Sequence, residues 1–277
     1  MPKFKIMTDS SSDLRALDGV SFASAPLKIV TSEKEYVDDT ELDVEAMVRE
    51  LSAYRGRSST SCPNVADWIS AFDDAEEIFC ITITGTLSGA YSSATVAARE
   101  YQAEHPERRV CVIDSLSTGP EMALIADKIA ELHKSGKSFE EIEREAEEYR
   151  RRTGLLFVLE SMKNLANNGR VSPLAAKAAG LLGIRVIGKA SDKGDLEPLH
   201  KVRGEGRTLD TVVECLRELG YGAGRIKIAH CMNIAAAEGL RDRIAAAFDG
   251  VKAEIYSCGA LCSFYAERGG LLIGFEK

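Results

Sequence analysis

The stretch Glu77–Tyr101, EIFCITITGTLSGAYSSATVAAREY, decides the fold. It begins as an apolar, β-branched run that reaches Thr84, and it ends as an alanine-rich segment that favours helix. Small hydroxyl side chains and two glycines join the two parts, and no charged residue occurs between Ile81 and Ala98. An apolar run of this length followed by a helical pattern is typical of a βα unit in a parallel sheet.

The same order of elements occurs twice more in the first half of the chain. The apolar runs at 4–7 and 109–114 are each followed by a segment rich in Ser, Thr and Asp. A helix over 139–152, with a capping box formed by Ser138 and Glu141, is predicted to close this unit. We therefore predict a Rossmann-like α/β domain with a mainly parallel sheet over residues 1–153.

A different pattern follows, and it predicts an α+β domain with a mixed sheet over residues 154–277. A strand leads into a short helix that ends at an Asn168-Gly169 turn, and Ser172-Pro173 is typical of a helix start. Two runs flanking 192–195 predict an antiparallel hairpin, and helices are expected at 208–219 and 234–248.

Composition excludes several classes of function. Lys plus Arg is 35 and Asp plus Glu is 43, so a net charge of −8 argues against nucleic-acid binding. No run approaches the ~18 apolar residues of a membrane span, and no secretory signal is present, so a cytoplasmic location is expected. The seven cysteines are scattered and form no CxxC pair, which favours free thiols and predicts no metal site.

The hydroxyl-rich junctions indicate an anion site. They follow the carboxyl ends of parallel strands, where ligands bind in open α/β sheets, and helix N-termini there add unpaired N–H groups. The absence of a P-loop pattern favours a carboxylate over a nucleotide. Further candidates are Thr60 and Ser61 in STSCPN, Arg170 in NNGRVS, Arg203 in HKVRG, and His230 at a strand end.

Seven segments, in this order, resemble the DegV family: MTDSSSDL, TSCPN, LSGAYSSA, VIDSLSTG, NNGRVS, DLEPLHKVRG and IAH. The resemblance spans essentially the whole chain and implies the two-domain fold predicted above. It also implies that the protein binds a long-chain fatty acid between its domains without a cofactor. Members of the family act as the carrier subunit of a bacterial fatty acid kinase, so the chain itself is not expected to be an enzyme.

The resemblance also implies roles for individual residues. Thr60 and Ser93 correspond to the hydroxyls that bind the carboxylate, and Ser61 and Ser92 are neighbours that could serve instead. Arg170 and Arg203 correspond to arginines of the surface that faces the kinase or a phosphate.

The last loop departs from the family pattern. A GxHTGPG-like loop is expected there, and in an alignment without gaps its histidine falls on Tyr265. Tyr265 is thus placed with Arg170 and Arg203 among the partner- or phosphate-facing residues. Its hydroxyl could hold the head group by a hydrogen bond, but it stays neutral at pH 7 and could not supply the positive charge of a protonated histidine. The hypothesis is therefore a protein that binds fatty acid but transfers it poorly, or one that serves a kinase adapted to it. The alternative is a gapped loop in which another residue such as Arg268 fills the role.

An acyl chain needs an apolar pocket. Burial of about fifteen methylenes at ~0.8 kcal/mol each gives a gross driving force of roughly 12 kcal/mol. The candidate lining residues of the second domain are Leu155, Leu156, Phe157, Leu159, Leu181, Leu182, Ile184 and Ile187.

Two other functions remain open from the sequence. One is a serine hydrolase with Ser88 or Ser93 as nucleophile and Asp114 and His230 as partners, although GTLSGA is not G-x-S-x-G. The other is a sensor of a small phosphorylated molecule, which would use the same anion site without an apolar cavity.

Overall fold

The computed structural model describes residues 3–172 and 183–277. Its strands are β1 (Phe4–Asp9), β2 (Ser21–Ala25), β3 (Lys28–Val30), β4 (Glu35–Val37), β5 (Ser59–Ser61), β6 (Glu77–Thr82), β7 (Arg109–Asp114), β8 (Thr153–Leu159), β9 (Ile184–Ala190), β10 (Leu196–Arg203), β11 (Ile226–His230), β12 (Glu254–Ser257) and β13 (Leu271–Glu276). Its helices are α1 (Val44–Ala53), α2 (Val65–Phe72), α3 (Ala90–Glu104), α4 (Pro120–Lys134), α5 (Phe139–Arg150), α6 (Lys163–Asn167), α7 (Glu205–Glu218), α8 (Ile234–Ala247) and α9 (Ala260–Ala266). The predicted helix after Ser172, and with it Leu181 and Leu182, lies outside the described residues.

The N-terminal half, which ends with α5, contains the predicted parallel sheet. Its strand order is β2-β1-β6-β7, and every pairing is parallel. Helix α3 packs against β6 and β7, and α4 packs against β1 and β6. Phe79 and Phe139 meet at a ring-centroid distance of 4.6 Å in the core of this half. The capping box of Ser138 and Glu141 is present at the start of α5, as predicted.

The C-terminal half is built on a six-stranded sheet of order β10-β9-β8-β13-β11-β12. Only the β11–β12 pairing is parallel, so the sheet is mixed, as predicted. Helix α4 of the first half crosses onto this sheet and packs against β8, β11 and β13. A Cβ at Gly274 would lie 2.5 Å from the Pro120 carbonyl carbon, so only glycine allows this close approach.

A small antiparallel sheet of order β4-β3-β5 was not predicted. Its three strands have three residues each, which is too short for a two-residue alternation to be recognised in the sequence. This sheet has a direct bearing on function, because β5 carries Thr60 and Ser61. No helix among the described residues combines the length and the apolar character that a membrane span requires.

Candidate functional site

An apolar cavity of about 290 Å³ lies where the two halves meet. The N-terminal half contributes Leu27, Thr60, Ser61, Cys62, Ile83, Leu87, Ser88, Gly89 and Thr118 to its wall. The C-terminal half contributes Leu155, Phe157, Leu159, Leu165, Arg170, Leu196, Leu261, Cys262, Tyr265, Ala266 and Leu272. Arg170 is the single charged residue among these lining residues, so the cavity offers mainly apolar surface.

Every second side chain of strand β8 forms part of one cavity wall. Leu155, Phe157 and Leu159 face the cavity, because successive side chains of a strand point to opposite faces of the sheet. Three of the sequence-based lining predictions are therefore confirmed. The predictions for Leu156 and Ile187 are wrong, because both pack on the other face of the sheet, against α7 and α8. Ile184 is half-buried and is not among the lining residues.

Two hydroxyl groups meet in the wall of this cavity. The Oγ1 of Thr60, on β5, lies 2.7 Å from the phenol oxygen of Tyr265, on α9. Burial raises the pKa of Tyr265, although the Thr60 hydrogen bond and the charge of Arg170 oppose the shift. The phenol is therefore protonated at neutral pH and can act as a hydrogen-bond donor. Ser61, Ser88 and Thr118 add three further hydroxyl side chains to the lining.

Arg170 lies next to this hydroxyl pair. Its guanidinium carbon is 5.9 Å from the centroid of the Tyr265 ring, and its Nε donates to the carbonyl oxygen of Leu87 at 3.1 Å. Within the two described stretches of chain, no carboxylate forms an ion pair with Arg170. Arg170 thus places a positive charge from the C-terminal half beside the uncharged 81–98 segment. It directly follows the Asn168-Gly169 turn, in which Gly169 has φ 74°.

Helix α9 is held at its N-terminus by two buried carboxylates that the sequence analysis did not identify. Asp13 accepts a hydrogen bond from the Gly259 N–H at 2.8 Å, and Asp38 accepts from the Ala260 and Leu261 N–H groups at 3.0 Å each. Burial raises the pKa of both carboxyls, and for Asp13 the nearby charge of Asp38 adds to the effect. These bonds fix the helix that carries Tyr265.

One signal for this anchor was present in the sequence. The segment TDSSSDL places two carboxylates among its hydroxyls, and Asp13 is the second of them. The first, Asp9, accepts from the Ile83 N–H at 2.7 Å and so fixes the exit of β6 next to the cavity. In this segment the carboxylates of Asp9 and Asp13 accept from distant backbone N–H groups, and the Ser10 hydroxyl does the same, accepting from the Leu27 N–H at 3.0 Å.

The structure does not bring Ser92 and Ser93 into the cavity wall. Ser92 is exposed on α3. The Ser93 hydroxyl is within donating distance of the carbonyl oxygens of Pro63, at 2.8 Å, and Ala90, at 3.0 Å, and it accepts from Trp68 Nε1 at 3.0 Å. Since a hydroxyl has one proton, these contacts already use the donor of Ser93. Its carboxylate-binding role remains a prediction.

The N-cap of α3 lies at the same cavity. Gly89 occupies the N-cap position, supplies no capping side chain and lines the cavity. A helix N-terminus carries unpaired N–H groups and a partial positive charge, which favour an anion. The tip of the β9–β10 hairpin covers the preceding loop, because Thr86 Oγ1 donates to the Gly194 carbonyl oxygen at 2.9 Å.

The groups proposed for a hydrolase are not assembled. Asp114 accepts from the backbone N–H groups of Gly85 and Leu116, and His230 Nδ1 accepts from the Asn233 N–H at 3.3 Å. No hydrogen bond among residues 3–172 and 183–277 joins Asp114 to His230 or either of them to Ser88. Arg203, the second predicted arginine, is exposed at the end of β10 and does not line the cavity.

The sequence has close relatives of the same length. The sequence model described as "Uncharacterised protein, DegV family" matches residues 3–277. A DegV domain-containing protein of Streptococcus pneumoniae is 41% identical over 277 residues, which is 99% of each chain.

Solved structures match equally well. A DegV family protein from Eubacterium eligens, loaded with heptadecanoic acid, is 42% identical, with a TM-score of 0.97 and 99% of each chain covered. The Streptococcus pneumoniae Fatty Acid Kinase (Fak) B3 protein, loaded with linoleic acid, is 41% identical, with a TM-score of 0.97 and the same coverage.

Proposed function

The chain belongs to the DegV family, and from this premise we propose that it binds one long-chain fatty acid in the cavity between its halves. The observation that carries the proposal is the cavity itself: an apolar wall drawn from both halves that includes the Thr60–Tyr265 hydroxyl pair and a single cation. A chain of methylenes matches the apolar part, and a carboxylate matches the polar part.

The acyl chain gains free energy from leaving water. Each buried methylene contributes about 0.8 kcal/mol, and part of the sum is lost to association and to ordering of the chain. Leu155, Phe157 and Leu272 supply apolar surface from the C-terminal sheet, and Leu27 and Ile83 supply it from the N-terminal half. A phosphorylated sugar would find little to bind on these walls, which argues against the sensor alternative.

The carboxylate needs several donors, because a buried charge without partners costs several kcal/mol. Thr60, Tyr265 and Ser61 offer hydroxyl donors, Arg170 offers a nearby positive charge, and the N-terminus of α3 adds a partial one. This proposed set keeps Thr60 and Ser61 from the sequence-based set, takes Tyr265 as a head-group ligand as the sequence allowed, and leaves out Ser92 and Ser93. No cofactor is needed for this binding, and a cytoplasmic location stays a prediction.

Two relatives support the proposal because their solved structures contain a fatty acid. The Eubacterium eligens protein was crystallised with heptadecanoic acid, and the Fak B3 protein with linoleic acid. These acids share a carboxylate and a long apolar chain but differ in unsaturation. The fatty acid class is therefore the supported ligand.

We further propose that the protein is a carrier without catalytic activity of its own, which presents the bound acid to a separate kinase subunit. The likeness to Fak B3 over 99% of both chains supports this role. Exposed Arg203 and half-buried Arg170 are the proposed kinase-facing or phosphate-facing groups. Tyr265, in place of the family's histidine, holds the head group as a neutral hydrogen-bond donor, because burial raises the pKa of its phenol. Unlike a protonated imidazole, a phenol supplies no positive charge.

The binding proposal is tested by mass spectrometry of an organic extract of the denatured protein after expression in a bacterial host. We expect near-stoichiometric long-chain fatty acid. The protein is then delipidated and titrated with palmitate and oleate. An extract without acyl chains, together with no uptake of either acid, would overturn the proposal.

The carrier role needs a separate assay. The loaded protein is mixed with ATP and a fatty acid kinase subunit from its own host, and acyl phosphate is measured. Transfer that is slow and that accelerates with Tyr265→His would support the idea that the tyrosine limits hand-over. Brisk transfer, insensitive to Tyr265→Phe and not improved by Tyr265→His, would show that this loop has kept the transfer function.

A further inference from the structure

We propose that His200, Cys215 and Glu218 form a zinc site on the outer surface of the C-terminal half, which ties the edge strand β10 to helix α7. Their ligating atoms all lie within 4.8 Å of one another. None of the three lines the fatty acid cavity, so the proposal stands independently of the function proposed above. It also departs from the sequence-based expectation of no metal site.

A β-bulge aims His200 at the helix. Pro198 pairs with Gly188 and His200 pairs with Ile187, so Leu199 is an extra residue without a partner on β9. A bulge of this kind turns a side chain toward a new direction. Beyond it His200 and Val202 share one face of the strand, because residues two apart do so.

The direction of that face is fixed by Val202. This side chain is buried in the same cluster as Val212, Cys215 and Leu216 of α7. His200, two residues earlier, therefore lies on the side of the sheet that α7 covers. The chain turns at Gly204, which has φ 88°, and α7 begins at the next residue and packs against β9 and β10.

The other two ligands lie on one face of α7, since residues three apart on a helix are neighbours. Cys215 is buried at 1% exposure, whereas Glu218 and His200 are exposed. The thiol thus lies at the base of the cluster and the two exposed groups lie at its rim. Ligands of tetrahedral zinc are roughly 3.5 Å apart, given bonds of about 2.0 to 2.3 Å, so small side-chain rotations would complete the site.

The ligand set selects the metal. A thiolate, an imidazole and a carboxylate suit Zn²⁺, and three protein ligands leave a fourth position for water. Magnesium and calcium, which prefer oxygen ligands, are disfavoured by the sulfur and the imidazole.

The surrounding charges favour a cation. Glu218 and Glu214 both lie close enough to the Cys215 thiol for their negative charges to act on it. Among the residues that the structure describes, neither glutamate forms an ion pair with a lysine or arginine. The neighbouring Arg217 is directed elsewhere, with its guanidinium carbon 5.3 Å from the centroid of the Phe248 ring.

Binding would affect the sheet edge. Among the residues that the structure describes, β10 is the outermost strand of the C-terminal sheet, and one side of its backbone has no strand partner there. A metal bridge from His200 to α7 would hold this edge in place.

The test uses the full chain, reduced and treated with a chelator, and titrated with Zn²⁺ alone by calorimetry. We expect one ion per chain and a rise in melting temperature. His200→Gln and Glu218→Gln replace exposed side chains, so they should fold normally and weaken binding at least tenfold. Glu214→Gln is the matched control, because it removes the same charge from the same helix and should change affinity less than threefold.

Substitution with Co²⁺ tests directly whether the Cys215 thiolate is a metal ligand. The Co²⁺-loaded protein should show a sulfur-to-cobalt charge-transfer band in the near ultraviolet, and Cys215→Ala should abolish it. The proposal is overturned by any of three results: no stoichiometric zinc, equal affinity in wild type and both exposed-ligand variants, or a cobalt spectrum without the thiolate band.

Discussion

The phenol oxygen of Tyr265 lies 2.7 Å from Oγ1 of Thr60, although the two residues are 205 positions apart in the chain. One comes from the short strand β5 of the N-terminal half, and the other from helix α9 of the C-terminal half. The pair joins the two halves at the cavity. A ligand carboxylate that takes a hydrogen bond from each hydroxyl would replace their mutual contact with two stronger, charge-assisted ones.

Loss of either hydroxyl should weaken binding of fatty acid. A hydrogen bond to a charged group contributes about 1.5–3 kcal/mol, so Tyr265→Phe and Thr60→Val should each raise the Kd by roughly ten- to 150-fold. Displacement of a fluorescent fatty acid measures this effect. Ser92→Ala, which alters an exposed hydroxyl of α3, is the control and should leave the Kd unchanged. Unchanged affinity in the Thr60 and Tyr265 variants and in their double variant would place the head group elsewhere.

Ser93→Ala should act on stability more than on binding. The Ser93 hydroxyl accepts from Trp68 Nε1 and donates toward the Pro63 carbonyl oxygen, so its removal leaves the buried indole N–H without this partner. Loss of about 1–3 kcal/mol in the free energy of unfolding is expected from urea titration. A large loss of fatty acid affinity with unchanged stability would instead support the head-group role inferred from the family resemblance.

Gly188→Ala should reduce the size of the cavity. A Cβ at Gly188 would overlap Cζ of Phe157, its cross-strand partner, and would lie 2.6 Å from the ring's Cε2 and from the Glu197 carbonyl oxygen. Since Phe157 lines the cavity, we expect its ring to be displaced into the space for the acyl chain. The measured result should be weaker binding of bulky or kinked acids than of short, straight ones.

Gly154→Ala is the matched control for this change. A Cβ there would lie 2.7 Å from Cζ of Phe275, again a cross-strand aromatic ring, but Phe275 belongs to the core on the other face of the sheet. Gly154→Ala should therefore cost stability without altering the preference among acyl chains. Phe157→Leu should shift the preference in the opposite direction, toward bulkier chains. Identical preferences in all three variants and the wild type would refute the role of Phe157.

Asp9 should make stability depend on pH. Burial raises the pKa of this carboxyl to about 6, so between pH 4 and 6 the folded protein holds a proton that the unfolded chain has lost. Its contribution to the free energy of unfolding is therefore fully present below about pH 4 and is lost as the pH rises through 6. Asp9→Asn cannot titrate. The stability of the wild type relative to this variant should fall across that interval in urea unfolding, and a constant difference would contradict the prediction.

The parallel sheet could be predicted because its strands are apolar runs with hydroxyl-rich exits. The walls of the cavity could be predicted only in part. Alternation along β8 separates Phe157 from Leu156, but the sequence does not show which of the two faces looks toward the other half. The geometry of the head-group site was beyond the sequence, because β5 is three residues long and its contact with Tyr265 spans 205 positions.

The roles of single polar residues were the hardest to assign. Ser93 fits a carboxylate-binding pattern, yet its hydroxyl is used by Trp68 and two carbonyl groups, which only the packing of α2 on α3 makes possible. The anchoring of α9 by Asp13 and Asp38 depends on contacts across more than 220 positions. Such contacts leave no local periodicity in the sequence.

That anchoring also limits how a fatty acid can enter and leave. A hinge motion that separated the halves would strip Asp13 and Asp38 of three backbone N–H donors in one step. Unpaired buried groups cost about 1–3 kcal/mol each, and charged ones cost more, so this route has a high barrier. Exchange through a local opening, at the Thr86–Gly194 contact between the loop and the hairpin tip, breaks the hydrogen bond of an exposed side chain. We therefore expect the residence time of the ligand to be set by local opening of the β9–β10 hairpin, while the two halves stay docked.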